Sequence, residues 1–482
     1  MPTPVVLGID SSTQSTKVLA VHTETGEIIA TGRAPHSGHD TQHPDEWWTA
    51  LRDAMRDLLT NHPDLDVQGL AISGQQHGCV LIDSDGNAVR PAPLWNNVAS
   101  APDAERLNGL ADFAAETGSR LVASYTITKM AHIARTAPDD LARAVAVGLP
   151  HDWLNLRLTG TLTTDRGDAS GTGWWSPRDN AYRRDLLALA IGDEHAARIA
   201  LPEVRDPDEP AGTLSPSAAA YLGLPAGIPV GPGTGDNMAA ALGVGARAGE
   251  VIISLGTSGT AFAVHESPTA DPTGEVAGFA DATGRFLPLA CMLNCTRVVD
   301  TVARLAGLER DEALARAGEL PPGADGILML PYLAGERTPN LPHATGTIDG
   351  LTDDNATPAL LVRAALDGVA AGLAYCVDAL ADLGITAPAI TVVGGGAIHP
   401  TWQQAVADAT GLPVQIRSGV EHAARGAAAQ ASAIVRGISV RDVAAQWQPD
   451  IVAEVPARPG MRDAFLLETR RAMIDELIET SR

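Results

Sequence analysis

Lysine is almost missing from this chain: of 34 basic residues only Lys17 and Lys129 are lysines. A lysine kept where arginine is otherwise the rule suggests a need for a compact ammonium on a flexible stem. Positive charge is short overall, with 34 Lys and Arg against 58 Asp and Glu and a net charge of −24. That balance excludes non-specific attraction to nucleic acid or to an anionic membrane and favours a small-molecule substrate. Cysteine is scarce too. Cys79, Cys291, Cys295 and Cys376 include one pair at CxxxC spacing, with no second pair or nearby His to complete a zinc set. Buried, reduced thiols are the expectation. No basic-then-apolar leader and no uninterrupted apolar run near the ~18 residues of a membrane span is present, so a cytoplasmic protein is expected. Aromatics make up only 4%.

What the chain does have is length, aliphatic residues and glycine. Its 482 residues, 45% hydrophobic with 48 glycines, exceed one ordinary core and predict a two-domain α/β protein rich in tight turns. Residues 230–260, VGPGTGDNMAAALGVGARAGEVIISLGTSGT, concentrate the chemistry. Asp236 follows a Gly-rich turn (Gly231, Gly233, Gly235) where the chain enters a helix, a position suited to a general base. A β-branched run then closes on Gly256-Thr257-Ser258-Gly259-Thr260, whose backbone N–H groups suit phosphate.

The same strand-turn-strand pattern occurs near the start. Residues 5–10 are an apolar run closing on Asp10, residues 11–17 (SSTQSTK) form a hydroxyl-rich turn, and residues 18–22 read as the returning strand. Such a loop suits phosphate, and Asp10 suits magnesium held through water. Two like units, one in each half, predict a duplicated α/β domain with one phosphate loop per copy facing a shared cleft, as in the actin-like ATPase fold.

With these motifs in this order the sequence resembles the FGGY family of carbohydrate kinases, from about residue 5 to about residue 433. The resemblance implies two ribonuclease-H-like lobes with a nucleotide cleft between them, ATP and Mg²⁺ as cofactors, and transfer of the γ-phosphate to a sugar hydroxyl. It implies Asp236 as the base and Asp10 as the residue positioning magnesium. Thr13, Gln14, Ser15 and Lys17 of one lobe, with Gly256, Thr257 and Ser258 of the other, are assigned to the phosphates. Gly395, Gly396 and Ala397, following a buried strand at 389–393, are assigned to the adenosine, where glycine permits close backbone approach. The segment Gly74-Gln75-Gln76-His77-Gly78 offers donors and acceptors at a strand end. In the family it binds the open-chain sugar, so Gln76, His77, Trp95, Asp236 and Asn237 are the expected sugar contacts. Gln76 replaces a more usual Met. Asn97-Val98-Ala99 stand where the pentulose-kinase branch has an Asp and an Arg, so charge-dependent contacts to the sugar are absent there. D-xylulose phosphorylated at its 5-hydroxyl is the expected reaction. Another ketose, a polyol or gluconate is the alternative substrate, and an actin-like or chaperone-type ATPase the alternative class.

The remaining stretches read more plainly. Residues 41–59 predict a helix with Trp47, Leu51, Met55 and Leu58 on its buried face, and Trp47 and Trp48 as packing residues. In residues 149–175 His151 opens a short helix, and Asp165 and Asp168 are read as capping or turn carboxylates. Lys129 is either structural or substrate-side. Glu336 and Arg337 are read as a loop-anchoring ion pair. Residues 357–380 and the alanine-rich 421–434 predict helices, the latter small enough for close packing. A further helix is expected over 456–482. The expected partition is a first lobe at 1–245, a second at 246–440 and a helical tail at 441–482, assembled as a homodimer that takes a small-molecule sugar substrate and neither nucleic acid nor membrane as partner.

Overall fold

The computed structural model describes residues 2–480. In its first sheet Thr3–Ser11, Ser15–His22 and Ile28–Pro35 run antiparallel in succession. Leu65–Gly74 lies parallel to the first strand, and Pro229–Val230 and Thr234–Gly235 lie parallel beside that. The inner strands are covered on both faces, which is why residues 5–10 read as a continuous apolar run rather than an alternating one. Helix Pro44–Asn61 packs on Ser15–His22 and Ile28–Pro35, and helix His422–Arg436 packs on Thr3–Ser11 and Leu65–Gly74.

Helix Pro44–Asn61 starts later than the sequence predicts because Thr41–Gln42 pairs with Ala92–Pro93. His43 then caps the helix, with Glu46 returning to the cap's backbone N–H and Pro44 in the first turn, where a missing N–H costs nothing. Trp47, Trp48, Leu51, Met55 and Leu58 are buried, as packing residues should be. Residues 184–198 form two helices, Arg184–Ile191 and Asp193–Arg198, separated at Gly192.

The second sheet repeats the first. Val251–Leu255, Gly259–Ala263 and Phe286–Met292 run antiparallel, and Ile390–Val393 and Val414–Arg417 lie parallel on the other side of Val251–Leu255. Among the strands named, three antiparallel strands followed by parallel neighbours on the other side of the first recur in both sheets, which is the duplication the two turns predict. Helix Pro358–Asp382 is long and apolar enough by length and composition to cross a membrane, but 78% of its most apolar window is buried inside the second lobe. It also carries a buried ion pair, Arg363 to Asp367 at 2.7 Å. The tail departs from the single helix expected. Ile451–Val455 adds an edge strand, and helices Met461–Ala464 and Leu467–Thr480 are broken at Leu466, whose φ is 50°.

Between the sheets two helices cross almost backbone to backbone. A Cβ on Gly426 would lie 1.9 Å from the Ala239 carbonyl oxygen, and one on Gly243 would lie 1.9 Å from that of His422. Gly8 has the same relation to Ala424. These glycines let helix Asp236–Gly243, helix His422–Arg436 and the first strand share one junction, and this junction positions Asp236.

Candidate functional site in the interlobe cleft

The first strand and Leu65–Gly74 pair in parallel so that Asp10 lies opposite Ser73, and Ser73 in turn lies opposite Thr234. The carboxyl ends of three neighbouring parallel strands therefore deliver Asp10, the Gln75-Gln76-His77 segment and Asp236 to one place, where ligands bind in open α/β sheets.

Asp10 is 6% exposed, and its Oδ1 is buried without a hydrogen-bond partner. Burial raises its pKa to about 6 against the opposing pull of Lys17, with Glu421 adding to the rise. Lys17 lies across the hairpin from Asp10, 4.0 Å from its carboxylate, and is ion-paired with Glu421. An orphaned carboxylate oxygen fits a magnesium held through water, so Asp10 meets the chemical requirement for that ion. In the hairpin turn Gln14 is exposed and Ser15 buried. The Thr13 hydroxyl is engaged on the sugar side, donating to Gln75 Oε1 at 3.1 Å and accepting from Trp95 Nε1 at 3.0 Å.

His77 adopts a left-handed backbone (φ 64°), a conformation that costs a non-glycine residue and concentrates at functional sites. Its Nδ1 donates to the Gly171 carbonyl at 2.8 Å, and its ring packs against Tyr125 and Phe279. Burial and the nearby Arg337 and Lys129 keep its pKa well below the usual value. A neutral ring with the proton on Nδ1 leaves Nε2 as an acceptor for a hydroxyl. Gln76 is buried with Nε2 unpartnered, a donor available to a ligand.

Asp236 stands at the N-terminus of helix Asp236–Gly243, after the short strand Thr234–Gly235. Its Oδ1 accepts from the Asn237 backbone N–H and from Asn237 Nδ2, both at 2.8 Å. Burial, helped by the charge of Asp10, raises its pKa to about 7, which suits a base working near neutral pH. Asn237 Nδ2 also donates to Gln76 Oε1 at 3.1 Å, and Asn237 Oδ1 accepts from Thr260 Oγ1 at 2.9 Å. One amide thus ties the candidate base to the sugar segment and to the second hairpin.

The second hairpin turns at Gly256, Thr257 and Ser258, with Thr257 exposed and the Gly256 carbonyl held by the N–H and hydroxyl of Thr296. Ser254 pairs with Val393, so the turn Gly394-Gly395-Gly396-Ala397 begins beside it. Gly396 is packed against Leu255 and Thr296, whereas nothing lies within 4 Å of a Cβ on Gly395. This is an open backbone edge that a flat base or ribose can approach. The turn occupies the position in its sheet that Gln75-Gln76-His77 occupies in the first.

Several participants were missed in the sequence. Gln430, inside the alanine-rich helix, holds the Gly233 N–H at 2.8 Å and donates to its carbonyl at 3.2 Å, pinning the turn before Asp236. Glu421 faces Lys17 from the start of the same helix. The ion pair expected between Glu336 and Arg337 is absent among the described residues. Glu336 anchors its loop through the backbone N–H groups of Leu293 and Arg337 and through Asn294, because a buried carboxylate is better satisfied by several fixed donors than by one flexible guanidinium. Arg337 instead lies 5.6 Å over the Tyr125 ring, beside His77. Lys129 is buried and gives its ammonium to the Ser124 and Ala123 carbonyls, with burial lowering its pKa to about 7. Asn97 is held by Asp40 and Thr41 at 3.1 and 3.2 Å. A partly open cavity of about 570 Å³ lies elsewhere, between helix Pro358–Asp382 and helix Leu467–Thr480, and includes neither Asp10 nor Asp236.

The arrangement suits phosphoryl transfer: a carboxylate whose pKa is raised to about 7, a second carboxylate suited to a cation, and two backbone turns across one cleft. The FGGY family of carbohydrate kinases matches this chain by its N-terminal domain over residues 5–243 and by its C-terminal domain over residues 251–434. The xylulose kinase of Streptomyces coelicolor is 46% identical over 457 residues, which cover 92% of this chain and 91% of that protein. The xylulose kinase of Escherichia coli is 36% identical, covering 86% of each. The crystal structure of xylulose kinase from Bifidobacterium adolescentis superposes with a TM-score of 0.83 at 37% identity, covering 97% of this chain and 99% of that one. The chain belongs to the FGGY family of carbohydrate kinases and has its two-domain, actin-like ATPase fold. It is a phosphotransferase that acts on an alcohol group of a carbohydrate.

Proposed function

We propose that the enzyme phosphorylates D-xylulose at its terminal 5-hydroxyl, with Mg-ATP as donor and Asp236 as general base. The observation that carries this reading is the Asn237 amide, which joins Asp236, Gln76 and Thr260 and so sets the base between a sugar segment and a phosphate turn. The names of the relatives support the choice of sugar. The departure at Asn97-Val98-Ala99 does not count against it, since Asn97 spends its amide on Asp40 and Thr41.

In this reading Gln76 Nε2 and His77 Nε2 hold sugar hydroxyls, and Trp95, fixed through Thr13, lines the same pocket. Asp236 takes the hydroxyl proton as attack proceeds; because the transition state is loose, the proton moves late and a strongly basic group is not needed. Backbone N–H groups of the two hairpin turns, with Lys17, face the phosphates. Gly395, Gly396 and Ala397 face the adenosine. Asp10 would hold magnesium through water, and the ion would supply charge neutralisation at the β- and γ-phosphates. Lobe closure excludes water, without which ATP hydrolysis would compete.

The lobes are taken as 1–245 and 246–440 with a tail from 441. A homodimer in the cytoplasm is the proposed setting, and the four buried free cysteines support a reducing compartment. The test is product analysis. With D-xylulose and Mg-ATP the wild-type enzyme should yield one phosphomonoester at C5 by ³¹P NMR, and Asp236→Asn should yield none. A phosphate on another carbon, or free phosphate in place of a sugar ester, would overturn the reading.

A further inference from the structure

Beneath the turn that presents Asp236 lies a fully buried ionic cluster that the proton transfer does not itself use. His151, on helix Pro150–Thr159, is 0% exposed, as is Asp168, and Asp165 and Asp152 are nearly so. His151 Nδ1 donates to Asp168 Oδ2 at 2.6 Å, while Nε2 lies 3.2 Å from Asp152 Oδ1 and 3.9 Å from Asp165 Oδ1. The cluster grips the catalytic turn at two points. Asp165 Oδ2 accepts the Thr234 hydroxyl at 2.6 Å, and the His151 ring fills the space beside Gly233, where a Cβ would lie 2.6 Å from Cδ2. From the same helix Asn155 Nδ2 donates to the Pro232 carbonyl at 2.6 Å.

We infer that His151 is a positioning residue for catalysis: as a buried cation it binds Asp165 and Asp168 into one unit that sets the Thr234-Gly235-Asp236 turn at its working geometry. The inference rests on Asp236 being the base. Three buried carboxylates packed together repel one another, and among the described residues the His151 imidazolium is the only cation in contact with them, so removing its charge leaves an uncompensated buried excess. Burial alone would lower the His151 pKa, but Asp152, Asp168 and Asp165 outweigh it and raise the value above the ordinary one. The groups facing His151 are Asp152 on its own helix and Asp165 and Asp168 from the next segment. Those that act on Asp236 from neighbouring elements are Asp10 and Asp168. At neutral pH the cluster therefore holds its proton, and loses it on the alkaline side.

Two variants test this with the full-length enzyme. His151→Gln keeps a donor but no charge; it should lower kcat at least tenfold while KM for ATP stays within twofold. His151→Lys keeps the cation; it should restore kcat to within about threefold and move the alkaline limb of the kcat profile upward, since an ammonium is a weaker acid than an imidazolium facing the same carboxylates. A folded His151→Gln enzyme with wild-type kcat overturns the inference. If His151→Gln fails to fold, an alkaline limb unmoved in His151→Lys overturns it instead. Asp236→Asn separates this outcome from the underlying reading, because normal turnover by that variant sinks the base assignment itself, whatever His151 does.

Discussion

Asp236 carries the sharpest expectations at the scale of single residues. Asp236→Asn should reduce kcat by roughly three orders of magnitude or more while ATP still binds, measured by steady-state turnover and nucleotide titration. The wild-type kcat/KM for the sugar should fall as pH drops through about 7, where the free enzyme's Asp236 gains its proton. A flat profile down to pH 5.5 would contradict that. The same shift predicts a stability change of known sign. The folded pKa of Asp236 lies above its ordinary value of 3.8, so its contribution to stability is full below that value and is lost as pH rises through about 7. Asp236→Asn should therefore raise the melting temperature at pH 8 and change it little at pH 4. Candidate residues were legible in the sequence where a strand end or a family resemblance singled them out, as at Asp10 and His77. They were illegible where a common residue acts through a distant fold contact, as Gln430 does on Gly233 across 197 positions.

At the scale of elements, the crossing of helix Asp236–Gly243 with helix His422–Arg436 decides where the base sits. Gly426→Ala would drive a methyl into the Ala239 backbone, which has no flexible end to yield. The expected cost is about 1–3 kcal/mol in denaturant unfolding, with a loss of kcat larger than that of Gly437→Ala at the exposed end of the same helix. The alanine-rich pattern announced close packing but not its partner, because small residues say how near a neighbour comes and nothing of which neighbour it is. The paired hairpins were legible for the opposite reason: strand, turn and strand are local, and each unit repeats its own pattern. The helix expected over 456–482 was misread since a charged, amphipathic stretch does not reveal that the chain breaks at Leu466.

At the scale of the whole molecule the two halves meet through polar contacts as well as a shared apolar core. Asn237 bridges to Thr260, and Lys17 to Glu421. Asn237→Ala should uncouple base from phosphate turn: kcat for sugar phosphorylation should fall at least tenfold, and the ratio of ADP released to sugar phosphate formed should rise above one as water competes. An unchanged ratio with reduced kcat would confine Asn237 to orienting Asp236. The central claim, that this cleft phosphorylates a ketopentose, is tested most directly by ADP release with Mg-ATP across D-xylulose, D-ribulose, D-fructose, gluconate, xylitol and glycerol. The account predicts release that depends on sugar and is highest in kcat/KM for D-xylulose. No stimulation by any of the six, or a preference for glycerol or gluconate, would contradict it.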